Sequence, residues 1–86
     1  ASICAAPIVL QAAGVITNTK GTGYPGFASD LVDATVEDSL VGVDKHIITS
    51  KGPATALLFA YTILETLGID SDSLQEAMQY NALLMR

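Results

Sequence analysis

The segment from Ala54 to Leu67 constrains the fold more than any other stretch of this 86-residue chain. Its spacing predicts a helix over about Ala54 to Leu67, fed by a turn from Ser50 to Pro53 with Pro53 near the first helical position, and ended by Gly68. Leu57, Leu58, Tyr61 and Leu64 form one apolar stripe, and Ala56, Phe59, Ala60, Ile63 and Leu67 form another. Only Thr55, Thr62, Glu65 and Thr66 are polar, so the helix has to be covered on more than one side. It is nevertheless too short to cross a bilayer: the apolar run from Ala54 to Leu64 is 11 residues and carries two threonines.

The rest of the composition narrows the class. Half of the residues are hydrophobic and 15% are charged, which excludes a disordered chain, and the length allows one domain. A net charge of −5, with only Lys20, Lys45, Lys51 and Arg86 basic and scattered, argues against nucleic acid or an anionic membrane as partner. A lone cysteine, Cys4, excludes an internal disulfide framework, and its distance in sequence from His46 leaves no metal-ligand spacing. The N-terminus lacks the basic region and apolar run of a secretory signal, so a cytoplasmic setting, where a thiol stays reduced, is expected.

Along the chain, Ser2-Ile3-Cys4 reads as the end of a buried strand and Ala5 to Ala13 as an Ala-rich helix stopped by Gly14. A strand is expected within Lys20 to Tyr24, weakened by Gly21 and Gly23, and a helical turn within Phe27 to Val32. Thr35 to Val43 and Ile47 to Thr49 form a hairpin pattern around Asp44-Lys45-His46. Ser73 to Glu76 has capping-box spacing and predicts a last helix through Tyr80, with Asp70 and Asp72 at its positive end.

Cys4, between a short apolar strand and a small-residue helix, is the strongest chemical feature. A sharp strand-to-helix turn holds a nucleophile out and aims the following N–H at a developing oxyanion, and a helix N-terminus favours a thiolate. Ala5, Ala6 and Ala12 would let the backbone pass close to the sheet. The plainer reading, a small buried hydrophobe, stands beside it. Gly21 to Gly26 matches GxGxxG literally, with Asp44 downstream, but neither a buried strand precedes it nor a long helix follows, so a strand running into a Pro-Gly turn is expected. Ser50 to Thr55 lacks phosphate-loop spacing and reads as a helix start with a capping hydroxyl. His46 at a hairpin tip reads as solvated, and Asp30, Asp33, Glu37 and Asp38 as a solvated face.

Ala1-Ser2-Ile3-Cys4-Ala5-Ala6-Pro7, then Tyr24-Pro25-Gly26-Phe27, then Val43-Asp44 and Ile47 through Thr55 resemble the C-terminal half of a ThiJ/PfpI superfamily protein. The branch they are most similar to is that of the parkinsonism-associated protein deglycase, and the resemblance covers nearly the whole chain. It implies an α/β fold, the C-terminal half of a flavodoxin-like three-layer sandwich of the class I glutamine amidotransferase type. Residues 1–86 would then be half of a single domain whose N-terminal half is absent.

The resemblance also implies a homodimer of the whole domain, no cofactor and no metal. Cys4 would be the oxidation-sensitive nucleophile, the Ala5 N–H an oxyanion donor, and the acid/base carboxyl a residue of the absent N-terminal half. Ala5 stands where the protease-like branch has a His, so a Cys-His protease is not expected; Tyr24 stands where some members have a His, and Asp44-Lys45 where the hairpin tip is usually Asp-Gly, which asks Lys45 for a positive φ. Two functions follow. In one, Cys4 attacks a small aldehyde, methylglyoxal or a glycated adduct, through a hemithioacetal, as a glyoxalase or deglycase. In the other, Cys4 is oxidised to a sulfinate in a redox-sensing chaperone without turnover. The partners expected are a complementary N-terminal fragment and a second subunit, which would cover the apolar helix.

Overall fold

A computed structural model describes all 86 residues, Ala1–Arg86. β1 (Ser2–Ile3) leads through a turn into α1 (Pro7–Ala12), then β2 (Lys20–Gly21), α2 (Pro25–Ala28), β3 (Thr35–Val36), β4 (Val41–Asp44) and β5 (Ile47–Ser50). A 3₁₀ turn (Pro53–Thr55) opens α3 (Ala56–Thr66), and α4 (Asp72–Ala77) and α5 (Tyr80–Leu84) complete the chain. The architecture is α/β, a partial flavodoxin-like arrangement of sheet and helices. No helix is long and apolar enough to cross a membrane.

β5 organises the sheet. It pairs parallel with β1, Ser2 opposite Thr49 and Ile3 opposite Ser50, and antiparallel with β4, Val41 opposite Ser50 and Asp44 opposite Ile47. All four of its residues are buried, as a strand flanked on both edges should be. The hairpin tip, Lys45-His46, needs the left-handed geometry expected of it: Lys45 has φ 56°. Ile47 joins Ile16 and Leu31 in the small core, with Ile8, Leu10 and Ala34 packed around it.

The helix ends follow from sequence chemistry. Pro7 is at the first position of α1, where a missing N–H costs nothing. Gly14 (φ 74°) and Gly68 (φ 83°) close α1 and α3 in the same way: Gly14 N–H donates to Gln11 and Val15 to Leu10, Gly68 to Glu65 and Ile69 to Leu64. Those pairs satisfy carbonyls that a helix end leaves open. In α3, Thr62 and Thr66 return their hydroxyls to the carbonyls of Leu58 and Thr62 at 2.7 and 2.8 Å, which makes the helix surface still more apolar. Yet Tyr61 is its only buried residue.

Four sequence expectations are corrected. The strand expected within Lys20 to Tyr24 stops at Gly21, because Thr22 N–H turns to Thr49 Oγ1 and Tyr24 N–H to the Cys4 carbonyl. The helical turn forms at Pro25–Ala28 rather than within Phe27 to Val32, since Pro25 presets the first helical φ. The stretch Thr35 to Val43 is two strands in different sheets: Thr35–Val36 pairs parallel with β2, the Glu37 N–H to Gly21 carbonyl bond closing that ladder, and Val41–Asp44 pairs with β5. The last helix opens at Asp72, with Ser71 before it, and breaks at Gln79, which takes φ 62°. Ser71 does not cap the helix with its hydroxyl, which donates to Glu65 and accepts from Gln75, each at 2.8 Å.

Candidate functional site

Cys4 sits at the end of β1 with φ 63°, a left-handed conformation unusual for a residue with a Cβ. Both of its backbone groups are tied down. Its N–H donates to the Ser50 carbonyl and its carbonyl accepts from Tyr24 N–H, both at 2.9 Å. The first bond extends the β1–β5 ladder by one step; the second brings in the segment after β2. Close approach there is eased by Gly23, at which a Cβ would lie a tight 3.3 Å from the Cys4 carbonyl oxygen. The half-buried thiol is thus presented at a rigid corner between strand and helix.

The helix contributes less to that corner than its sequence suggests. α1 begins at Pro7 with Ala6 before it, so Cys4 lies ahead of the helix rather than at its first turn. Pro7 has no N–H, and the N–H groups of Ile8 and Val9 are taken by the carbonyls of Ala5 and Ala6. Ala6 N–H bonds the Ile3 carbonyl, whereas Ala5 N–H has no backbone acceptor. Beside the thiol, Ala5 N–H is therefore the donor left for an anionic oxygen. Of the small residues expected to lie against the sheet, Ala6 and Ala12 are exposed, and Pro7 is the buried residue of α1.

The neighbouring segments complete the frame. Ser50, wholly buried, shares a hydroxyl contact with Thr55, whose Oγ1 also donates to the Gly52 carbonyl at 2.8 Å and accepts Gly52 N–H at 3.3 Å. The Thr55 hydroxyl thus ties the Gly52 backbone at the start of the 3₁₀ turn, but the capping hydroxyl expected of Ser50 to Thr55 is not found: no side chain caps the N–H groups of that turn or of α3. An open cleft of about 240 Å³ adjoins the corner, shares Gly23 with it, and is bordered by Pro25, Val36, Glu37, Asp38 and Lys51. Lys51 Nζ lies 2.6 Å from Asp38 Oδ1, and this hydrogen bond and charge hold the Asp38 carboxyl below its ordinary value.

The remaining candidates lie elsewhere. His46 is exposed at the hairpin tip, and Asp30, Asp33, Glu37 and Asp38 are all exposed. Asp44 takes no part in a nucleotide site: its Oδ2 accepts Lys20 N–H at 2.7 Å and ties the hairpin to β2. Carboxylates with partners spend them away from Cys4, Glu65 on Ser71 and Glu76 on Asn81. Sequence reasoning missed the pairing of Tyr24 with Cys4 and the role of Gly23. The usable signal was a glycine just before Tyr24-Pro25, where a backbone must pass close to another.

Comparison with known proteins bears on the same residues. A model of the DJ-1/PfpI family matches residues 1–66. The DJ-1 beta protein of Drosophila melanogaster is 45% identical over 69 residues, which cover 78% of this chain and 37% of the fly protein. A protein named a deglycase from Pyrococcus horikoshii is 46% identical over 56 residues, 63% of this chain and 34% of its own length. The DJ-1 homolog A of Arabidopsis thaliana is 41% identical over 70 residues, 78% of this chain and 18% of its own length. The chain thus matches well under half the length of these relatives.

Proposed function

The chain belongs to the DJ-1/PfpI family, and from that premise we propose that it carries the nucleophile of a cytoplasmic, cofactor-independent glyoxalase or deglycase. Cys4 is that nucleophile. Its sulfur adds to the aldehyde carbon of methylglyoxal or of a glycated adduct, a C–S bond forms, and the carbonyl electron pair moves to oxygen. The Ala5 N–H holds that oxygen until it is protonated to the hemithioacetal. A carboxyl partner moves the proton from the attacked carbon to its neighbour, and water releases the resulting thioester as lactate. The observation that carries the reading is the left-handed Cys4, fixed through both backbone groups and followed by an N–H with no backbone acceptor.

The carboxyl partner belongs, in this proposal, to a complementary N-terminal segment, and the whole domain to a homodimer. Two features support a cover beyond these residues. Only 14 of the 86 residues are buried, and the apolar α3 buries Tyr61 alone. The test is lactate formation from methylglyoxal by the intact protein and its Cys4→Ser variant. Loss of turnover in the variant supports the proposal, and retained turnover removes it. A wild-type protein that forms a Cys4 sulfinate with peroxide but no lactate would put the redox-sensing chaperone in its place.

A further inference from the structure

Away from the Cys4 corner, three helices meet at one hydroxyl–sulfur contact. Tyr61, the buried residue of α3, donates its hydroxyl to Met78 Sδ at 3.4 Å. Met78 ends α4, directly before the left-handed Gln79. Tyr80, the first residue of α5, stacks edge-on against the Tyr61 ring with centroids 4.9 Å apart. The α4–α5 pair is held to α3 at this contact and, at the other end of α4, by Ser71 and Glu65.

The two ends of that contact differ in exposure. Tyr61 is 2% exposed, so its hydroxyl has no water to turn to, whereas Met78 is 49% exposed. One lone pair of the thioether is engaged by the Tyr61 O–H, which leaves the other for an oxidant that reaches this half-exposed side chain. Met85 is 85% exposed and serves as an internal comparison.

We propose that Met78 is an oxidative modification site, through which a hydroperoxide releases the α4–α5 pair from α3 by depriving the Tyr61 hydroxyl of its acceptor. The free lone pair attacks the peroxide oxygen, the O–O bond breaks, and the departing hydroxide leaves as water after protonation. Sulfur loses two electrons and gains an S–O bond directed away from Tyr61. The sulfoxide sulfur is positively polarised and accepts poorly, and the strongly accepting sulfoxide oxygen lies on the side away from Tyr61, so the buried hydroxyl is left unpaired. Because one lone pair is shielded, one sulfoxide epimer is favoured at Met78. Met85 has no such bias.

The experiment treats the full chain with hydrogen peroxide and reads two quantities. Peptide mass spectrometry after separate treatment with the two epimer-specific methionine sulfoxide reductases measures the epimer ratio at each methionine. Amide hydrogen exchange over residues 72–84 measures docking. The expected result is an unequal ratio at Met78 against an even one at Met85, with exchange over 72–84 faster by roughly 5- to 150-fold. Tyr61→Phe keeps the ring but has no hydroxyl to orphan, and Met78→Leu has no sulfur to oxidise; peroxide should leave exchange unchanged in both. Unchanged exchange in the wild type, an even epimer ratio at Met78, or a peroxide effect that survives in Met78→Leu or Tyr61→Phe would overturn the proposal. The Met78→Leu arm also separates it from any effect of oxidation at Cys4.

Discussion

The backbone at Cys4 makes a prediction whose sign is the reverse of the usual one. A residue with a Cβ at φ 63° carries a strain of roughly 1–2 kcal/mol, which glycine does not. Comparing Cys4→Ala with Cys4→Gly isolates that strain, because both variants lack the thiol. Glycine gains the strain energy and loses roughly 0.5–1 kcal/mol through the greater freedom it gives the unfolded chain. The net expectation is that Cys4→Gly is the more stable variant by roughly 0.5–1 kcal/mol. At an ordinary strand or helix position, alanine would lead by a similar amount, so the two geometries predict opposite signs. Urea unfolding of the full chain, with slopes checked for equality so that midpoints report stability, is the measurement. If Cys4→Ala unfolds at the higher urea concentration, the left-handed elbow is wrong and the oxyanion role of Ala5 N–H falls with it.

Other residues give shorter expectations. His46→Ala should leave methylglyoxal consumption near the wild-type level, because four residues of strand set His46 roughly 13 Å from the Ser50 end of β5; a large loss in a lactate assay would contradict its placement. Lys45→Gly at the exposed hairpin tip, where Lys45 has φ 56°, should stabilise by roughly 0.5–1 kcal/mol in the same urea assay. Thr55→Val removes the acceptor of Gly52 N–H and leaves the buried Ser50 hydroxyl only a long 3.5 Å bond to the Leu40 carbonyl, and should cost roughly 1–3 kcal/mol in thermal or urea unfolding. Asp38 titrates below its ordinary 3.8, so its pairing with Lys51 contributes above the ordinary value and is lost as pH falls through the lowered one. An NMR titration of Asp38 should return to the ordinary value in Lys51→Met.

What was legible in the sequence is what neighbouring residues decide. Pro53 and Gly68 bracket the apolar helix, Gly14 stops the first helix, and the Asp44-Lys45-His46 break between two apolar runs marks the hairpin and the left-handed Lys45. Cys4 stood out for a similarly local reason: it ends a short apolar run and precedes small residues and a proline. The misreadings lie where distant segments compete for the same backbone groups. Thr22 and Tyr24 leave β2 because Thr49 and Cys4 hold better acceptors for them, and nothing within Lys20 to Tyr24 announces those partners. Ser73 has capping-box spacing, but Ser71 is placed first by Glu65, a residue of the preceding helix. Gln79 breaks the last helix without a glycine, so propensity alone reads through it.

Backbone strain distinguishes Cys4 from the other non-glycine residues with positive φ, which are Asn18, Lys45 and Gln79. Lys45 reverses a two-residue hairpin and Gln79 ends one helix just before the next, and at such positions the left-handed region is what the chain reversal requires. Asn18 belongs to a residue type that tolerates that region through its short polar side chain. At Cys4 the chain passes from a buried strand toward a helix, and that connection can be made in ordinary conformations. There the strain is held by the bond to Ser50 on the only strand whose residues are all buried, and by the bond from Tyr24. Strain that is over-determined from both sides, beside an N–H with no backbone acceptor, is what the nucleophile role proposed for Cys4 would use to aim its side chain.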